Sequence, residues 1–251
     1  MDGSCWDRFG RKTLLTFTGY KERAPGVLRE IERVGMKGVN VQWQFPNPFE
    51  DVLLAHLKCI RCVRSEKGAM NLAMAHYAAV KTAYCLGVDH VLIMEDDIRF
   101  IRDVGAVEEL VRLLPDDFDI GMFDYTILGP IRGSDAQAEY VTRMRRERRI
   151  NEGWCGFDVM RSTGCYALSR RAMKRYIWLN EAAVTDPSIG KLRASDHWFN
   201  RRYMGPDMKM MFAYRPAAIQ RRYPGGGIHP DLDLESYYRD VVGAKTEEYE
   251  R

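Results

Sequence analysis

An α/β fold is predicted by three features of the sequence. Runs with the two-residue alternation of strands take turns with runs of helical period through the first half of the chain. One of the strands, VLIMEDD at 91–97, carries no charge until three acidic residues close it. The chain has 251 residues, 46% hydrophobic and 29% charged, enough to bury a core without disulfides or a structural metal and too apolar for disorder. Alternation of this kind implies parallel pairing and a sheet covered on both faces. No internal repeat is visible, and the length fits one large domain or a domain with a subdomain.

Residues 12–18 (KTLLTFT), rich in β-branched and aromatic side chains, read as a first strand before Gly19. Over 25–34, Val27, Leu28, Ile31 and Val34 share one helical face, Pro25 suits a first turn, and Gly35 and Gly38 stop the helix. Residues 38–45 (GVNVQWQF) alternate as a second strand, closed by Pro46 and Pro48. Helices are expected over 49–63 and 69–86, the second ending at Gly87, and a buried strand over 89–94. Downstream, a helix over 104–114 ends at Pro115, and 118–125 (FDIGMFDY) reads as a strand. Residues 129–158 show no clean periodicity. A strand at 163–168, a helix over 169–183, a last strand at 209–214 and a turn at Gly225-Gly226-Gly227 complete the pattern.

The net charge is only +3, too small to point to nucleic acid. Between Arg132 and Arg175, however, eleven basic and five acidic residues give a local +6. Within that window Arg143–Arg149 (RMRRERR) suits a solvated helix face, or attraction to an acidic acceptor or an anionic membrane surface. No base-reading motif accompanies it, so nucleic acid is not expected as a partner. No apolar run approaches the ~18 residues of a membrane span. A polar N-terminus, six cysteines and no Asn-x-Ser/Thr acceptor predict a reducing, cytoplasmic setting with free thiols. His56, Cys59 and Cys62 fall on one helical face, but a zinc site needs a fourth ligand that no second Cys pair supplies, so they read as core residues.

The acidic cluster Glu95-Asp96-Asp97 carries the most chemistry. Ligands bind at the C-terminal ends of strands in an open α/β sheet, where these residues fall. Alternation sends Glu95 and Asp97 one way and Asp96 the other. Three adjacent carboxylates repel unless water or a cation compensates, and Mg²⁺ or Mn²⁺ would keep phosphate oxygens in its shell. A solvated acidic turn whose aspartates cap a helix is the other reading of the same residues.

The order of the blocks GAMNLAMAH (68–76), LIMEDD (92–97), STGCYALSRRAMKR (162–175), SDHWF (195–199) and PAAIQ (216–220) resembles glycosyltransferase family 25, whose bacterial members build lipooligosaccharide. Asn71-Leu72 departs from that family's Gly-Cys, and the basic insert after Gly129 has no firm counterpart. The resemblance implies a GT-A-type fold as one continuous domain. Its nucleotide-sugar-binding half would span 1–128 and its acceptor half, with the basic insert, 129–251. It further implies an inverting, metal-dependent transfer of a hexose, galactose or glucose, from a nucleoside-diphosphate sugar such as UDP-hexose. The acceptor would be a glycan or glycolipid such as lipooligosaccharide, and the cofactor Mn²⁺ or Mg²⁺.

On that resemblance Asp97 binds the metal, and Glu95 contacts it through water or holds the ribose. Asp96, Thr18, Arg23, His76 and Gly68 belong to the donor site. Asp196 is the expected catalytic base, since an inverting transferase needs a carboxylate to take the acceptor's proton; Asp196 equally suits the cap of a helix starting at His197. His76 suits a satisfied core position as well as a binding one. His229, after the triple glycine, could reach a metal or phosphate, or be a plain loop residue. Two rival functions share the features: a binding module without transfer, and a nucleotidyltransferase. The latter usually carries a glycine-rich phosphate loop with a Lys, and Gly19-Tyr20-Lys21 is too sparse for one.

Overall fold

The computed structural model describes residues 4–17, 21–44, 67–124, 134–159, 162–186 and 195–220, with the main chain alone at 67–70, 134–138 and Asp196. The helix expected at 49–63, with His56, Cys59 and Cys62, and the glycine turn at 225–227 lie outside the described residues.

In chain order the elements are β1 (Arg11–Phe17), α1 (Ala24–Arg33), β2 (Val39–Gln44), α2 (Lys67–Cys85), β3 (His90–Glu95) and β4 (Ile98–Phe100). They continue with α3 (Val104–Arg112), β5 (Ile120–Met122), α4 (Ser134–Glu147), β6 (Trp154–Gly156) and β7 (Cys165–Ser169). Last come α5 (Arg170–Thr185), α6 (Arg201–Met204), β8 (Met210–Ala213) and β9 (Ala218–Gln220), with 3-10 turns at Cys5–Arg8 and Ser195–Trp198.

Seven strands form one sheet in the order β2-β1-β3-β7-β5-β8-β6. The pairings β1/β2, β1/β3 and β5/β8 are parallel, while β7 and β6 run against their neighbours. Five of the seven strands therefore point the same way, and their C-terminal ends share one edge. The α/β class with a largely parallel sheet is the one expected from the sequence. A separate antiparallel pair, β4 and β9, joins Ile98 to Gln220 just beyond the end of β3.

Each face of the sheet has its own core. Along β3, Val91 and Ile93 pack with α2, α4 and α5, while Leu92 and Met94 pack with α1, α3 and the N-terminal turn. That division is the two-residue period of a strand buried on both sides. On α2, Ala75, Ala79 and Ala83 recur every fourth residue, all buried, and their small side chains let the helix lie close on the sheet. Gly87, at φ 78°, ends that helix in a conformation costly for other residues. Asp103 caps α3 and Ser169 caps α5 by accepting from the N–H three residues on.

Besides β4, α6 and β9, which the sequence reading does not include, two stretches differ from expectation. The region without periodicity holds α4 and β6. The described apolar positions on α4 that reach the core are Tyr140, Val141 and Met144, a stripe too brief to stand out among the arginines. β6 is three residues long, below the length at which alternation is legible. The strand expected over 118–125 is also shorter, because the chain leaves the ladder after Met122.

Candidate active site at the end of the central strand

The C-terminal edge of the sheet gathers the acidic residues. Glu95 ends β3, and Asp96 and Asp97 make the turn into β4. Alternation along β3 points Glu95 to the α2 side and Asp96 to the α1 side, and the contacts follow. Glu95 Oε1 lies 3.0 Å from His76 Nε2 on α2, and its Oε2 accepts from Gln220 Nε2 at 3.3 Å. Asp96 Oδ2 accepts from the Thr16 hydroxyl at 2.7 Å and from the Phe17 N–H at 3.2 Å. Arg23, in the N-cap position of α1, holds its guanidinium 3.8 Å from Asp96 Oδ1. Burial pushes Asp96 above the usual carboxylate range in spite of those donors.

Asp97 is different. Its Oδ1 is buried and has no hydrogen-bond partner among the described residues. Burial, and then the charges of Glu95, Asp96 and Asp124, push its carboxyl well above the ordinary range. An unpartnered buried carboxylate oxygen is costly and calls for a compensating group.

Asp124 is the fourth acidic residue, just past the end of β5 and 1% exposed. Its Oδ2 accepts from the Ser162 hydroxyl at 2.5 Å and its Oδ1 from the Cys165 N–H at 2.7 Å. Burial raises it to about 7, and nearby Glu95 adds to the rise. Ser162 holds its position with φ at 150°, a backbone conformation that side chains other than glycine rarely take. Gly164 makes the gathering possible. A Cβ there would stand 2.5 Å from Asp124 Oδ2 and 3.0 Å from Gln220 Cγ, while its carbonyl accepts from the Glu95 N–H at 2.8 Å.

The structure thus brings Glu95, Asp96, Asp97, His76 and Arg23 together. Thr18 and His229 lie outside the described residues. Gly68 falls in the first turn of α2, where only the main chain is described. Asp196 lies inside the turn Ser195–Trp198, and its side chain is outside the described residues. That turn is nonetheless near the cluster: Phe199, which follows it, packs on Tyr166 with centroids 4.9 Å apart, and the Tyr176 hydroxyl donates to Ser195 at 2.8 Å.

Asp124, Ser162, Tyr166 and Gln220 were not among the expected site residues. Asp124 had a signal of the same kind as Glu95, an acidic residue at the C-terminal end of an apolar strand. Ser162, Tyr166 and Gln220 lie within the blocks 162–175 and 216–220 that carry the resemblance, but no local pattern marks them individually.

Among the described residues no three His, Cys, Asp or Glu side chains form a ready-made metal site. What the cluster offers is a single open carboxylate oxygen on Asp97 amid acidic neighbours. That donor set fits Mg²⁺ or Mn²⁺, which are commonly held by one or two carboxylates and take the rest of their shell from water and phosphate. The basic run is engaged elsewhere. Arg148 pairs with Asp158 at 2.6 Å, Arg146 with Glu147 at 2.9 Å, and the guanidiniums of Arg145 and Arg149 each lie 5.2 Å from the Tyr214 ring. Among the described residues no helix is long and apolar enough to cross a membrane.

No family model matches the sequence, and no curated protein sequence matches it either. Solved structures do show likeness. Mouse xyloside xylosyltransferase 1, in its apo form, is 14% identical over 80% of this chain and 69% of its own, with a TM-score of 0.36. The apo bifunctional glycosyltransferase WbbM is 9% identical over 80% of this chain and 38% of its own, at 0.39. The galactosyltransferase LgtC, in complex with donor and acceptor sugar analogues, is 11% identical over 96% of this chain and 94% of its own, at 0.43. All three neighbours are glycosyltransferases.

Proposed function

We propose that this protein is a GT-A-type glycosyltransferase that moves a hexose from a nucleoside-diphosphate sugar, UDP-hexose first among them, to a glycan acceptor with the help of Mn²⁺ or Mg²⁺. The observation that carries the proposal is the buried, partnerless Oδ1 of Asp97, set among Glu95, Asp96 and Asp124 at the ligand-binding edge of the sheet. The ordered blocks of the sequence support it.

Asp97 would hold the cation, with Glu95 fixed beside it by His76 and Gln220. When bound, the cation supplies charge neutralisation for the departing nucleoside diphosphate. Asp96 and Arg23 would bind the donor where β1 ends, since Thr16 and the Phe17 N–H already fix the Asp96 carboxylate there. Asp196, on the turn that leads into Phe199, would take the proton from the acceptor hydroxyl.

Melting curves with a panel of nucleoside-diphosphate hexoses test the reading. A matching donor should raise Tm only with Mn²⁺ present, by the equivalent of about 2–3 kcal/mol at a hundredfold excess over Kd. Asp97→Ala should keep or raise the ligand-free Tm, since it removes a costly buried carboxylate, and lose that Mn²⁺-dependent rise. UDP release in the presence of acceptor would distinguish a transferase from a binding module. An undiminished rise in Asp97→Ala would remove Asp97 from the cation site.

A further inference from the structure

His76 and Tyr166 are both fully buried polar residues, placed 90 residues apart by α2 and β7. His76 Nδ1 lies 2.8 Å from the Tyr166 hydroxyl, and Nε2 lies 3.0 Å from Glu95 Oε1. An imidazole carries a proton on one nitrogen, on the other, or on both, so three arrangements are open to it. The surroundings select one. Burial, with Tyr176 and Glu95 nearby, pushes the Tyr166 phenol well above its ordinary range, so it keeps its proton. A buried hydroxyl places that proton on an acceptor, and among the described residues the one in reach is His76 Nδ1. The ring proton therefore sits on Nε2 and is donated to Glu95. Gln220 donates to the other oxygen of the same carboxylate. The result is a directed file: Tyr166 to His76 to Glu95, closed by Gln220.

We infer that Tyr166 and His76 are positioning residues for the transfer proposed above, the Tyr166 hydroxyl locking the His76 ring as its Nε2–H tautomer so that Glu95 is held fast beside Asp97. The inference rests on the proposed function for its catalytic consequence, while the tautomer follows from the contacts of His76 with Tyr166 and Glu95. With the proton on Nδ1 instead, a nitrogen lone pair would face a carboxylate oxygen at 3.0 Å and drive Glu95 away. The file also spans the site. Tyr166 packs on Phe199, so the residue that orients Glu95 also braces the turn bearing Asp196.

Nitrogen-15 spectra of the imidazole-labelled, ligand-free protein read the tautomer directly, with His76 assigned by its absence in His76→Gln. In the wild type Nε2 should be protonated and Nδ1 bare. Tyr166→Phe keeps the ring against Phe199 but removes the hydroxyl. Nε2 should stay protonated toward Glu95, Nδ1 should lose the shift that the hydroxyl's hydrogen bond gives it, and the donor's KM with Mn²⁺ should rise about 10-fold, more than kcat falls. The amide of His76→Gln retains an N–H donor toward Glu95 with no tautomer to set. In that background Tyr166→Phe should add less than about a twofold change, because the two residues act as one unit. A wild-type His76 protonated on Nδ1, or an equal Tyr166→Phe penalty in both backgrounds, would overturn the inference. Should the wild type turn over no nucleotide sugar, the transferase reading fails while the nitrogen spectrum still decides the file.

Discussion

Asp124 shows what burial does to one side chain at this edge of the sheet. Two good donors, the Ser162 hydroxyl and the Cys165 N–H, are outweighed by burial, and the carboxyl rises to about 7 from an ordinary 3.8. The consequence for stability has a definite sign. The native state binds this proton more tightly than the unfolded chain, so its contribution is complete below the ordinary pKa and is lost as pH rises through about 7. The slope approaches about 1.4 kcal/mol per pH unit inside that window. Asp124→Asn keeps partners for both neighbours and removes the titration. Its Tm should therefore be flatter than the wild type's across this range and higher than it at pH 8. A pH series of melting curves on the two proteins checks this. Identical slopes would show that Asp124 ionises as freely folded as unfolded.

At the scale of elements, β7 and α2 do the assembling. β7 runs antiparallel between β3 and β5, so its residues reach both the Glu95 and the Asp124 sides of the edge. Its approach depends on Gly164, because Asp124 and Gln220 occupy the space a Cβ would need. Gly164→Ala should therefore cost roughly 1–3 kcal/mol, as an overpacked site does. It should also weaken donor binding with Mn²⁺, since Gln220 is one of the two groups holding Glu95. Urea unfolding and ligand-induced Tm shifts measure the two effects separately; an unchanged urea midpoint would mean that the strand yields. α2 contributes through its alanines, whose close packing sets His76 within reach of Glu95. Alternation along 89–97 made the opposed directions of Glu95 and Asp96 legible. The arrival of β7 was not, since nothing in 162–175 states which strands it will separate.

Across the whole molecule the two edges of the sheet treat their carboxylates in opposite ways. Asp119 stands at the start of β5, the edge away from the acidic cluster, and is 3% exposed. Burial would raise it, but Arg171, the Lys209 N–H at 2.8 Å and the Ser169 hydroxyl at 2.8 Å together bring it below the ordinary range. Those bonds tie β5 to α5 and to the approach to β8. With a depressed pKa, its contribution is present above the ordinary carboxylate pKa and is lost as pH falls through the folded value. Asp119→Ala should thus lower stability by about 2–3 kcal/mol at neutral pH, with the deficit shrinking in acid. Denaturant titrations at pH 7 and pH 3 measure both, and an equal loss at the two values would assign the effect to packing. Satisfied carboxylates hold one edge together. At the other, Asp97 is left unsatisfied, at a cost that a bound cation would offset.

The alternation of strands and helices, the largely parallel sheet, and the delivery of Glu95, Asp96 and Asp97 to the end of a charge-free strand are all legible in the amino-acid sequence. These are properties of short windows, because strand period, helix period and turn residues act over a few positions. Only the tertiary structure decided which groups meet those carboxylates. His76 lies 19 residues from Glu95 and Gln220 lies 125 away, while Ser162 stands 38 from Asp124. Strand order brings such partners together, and no local pattern encodes that order. It left one oxygen of Asp97 without a partner among the described residues, and this is the feature on which the proposed chemistry turns.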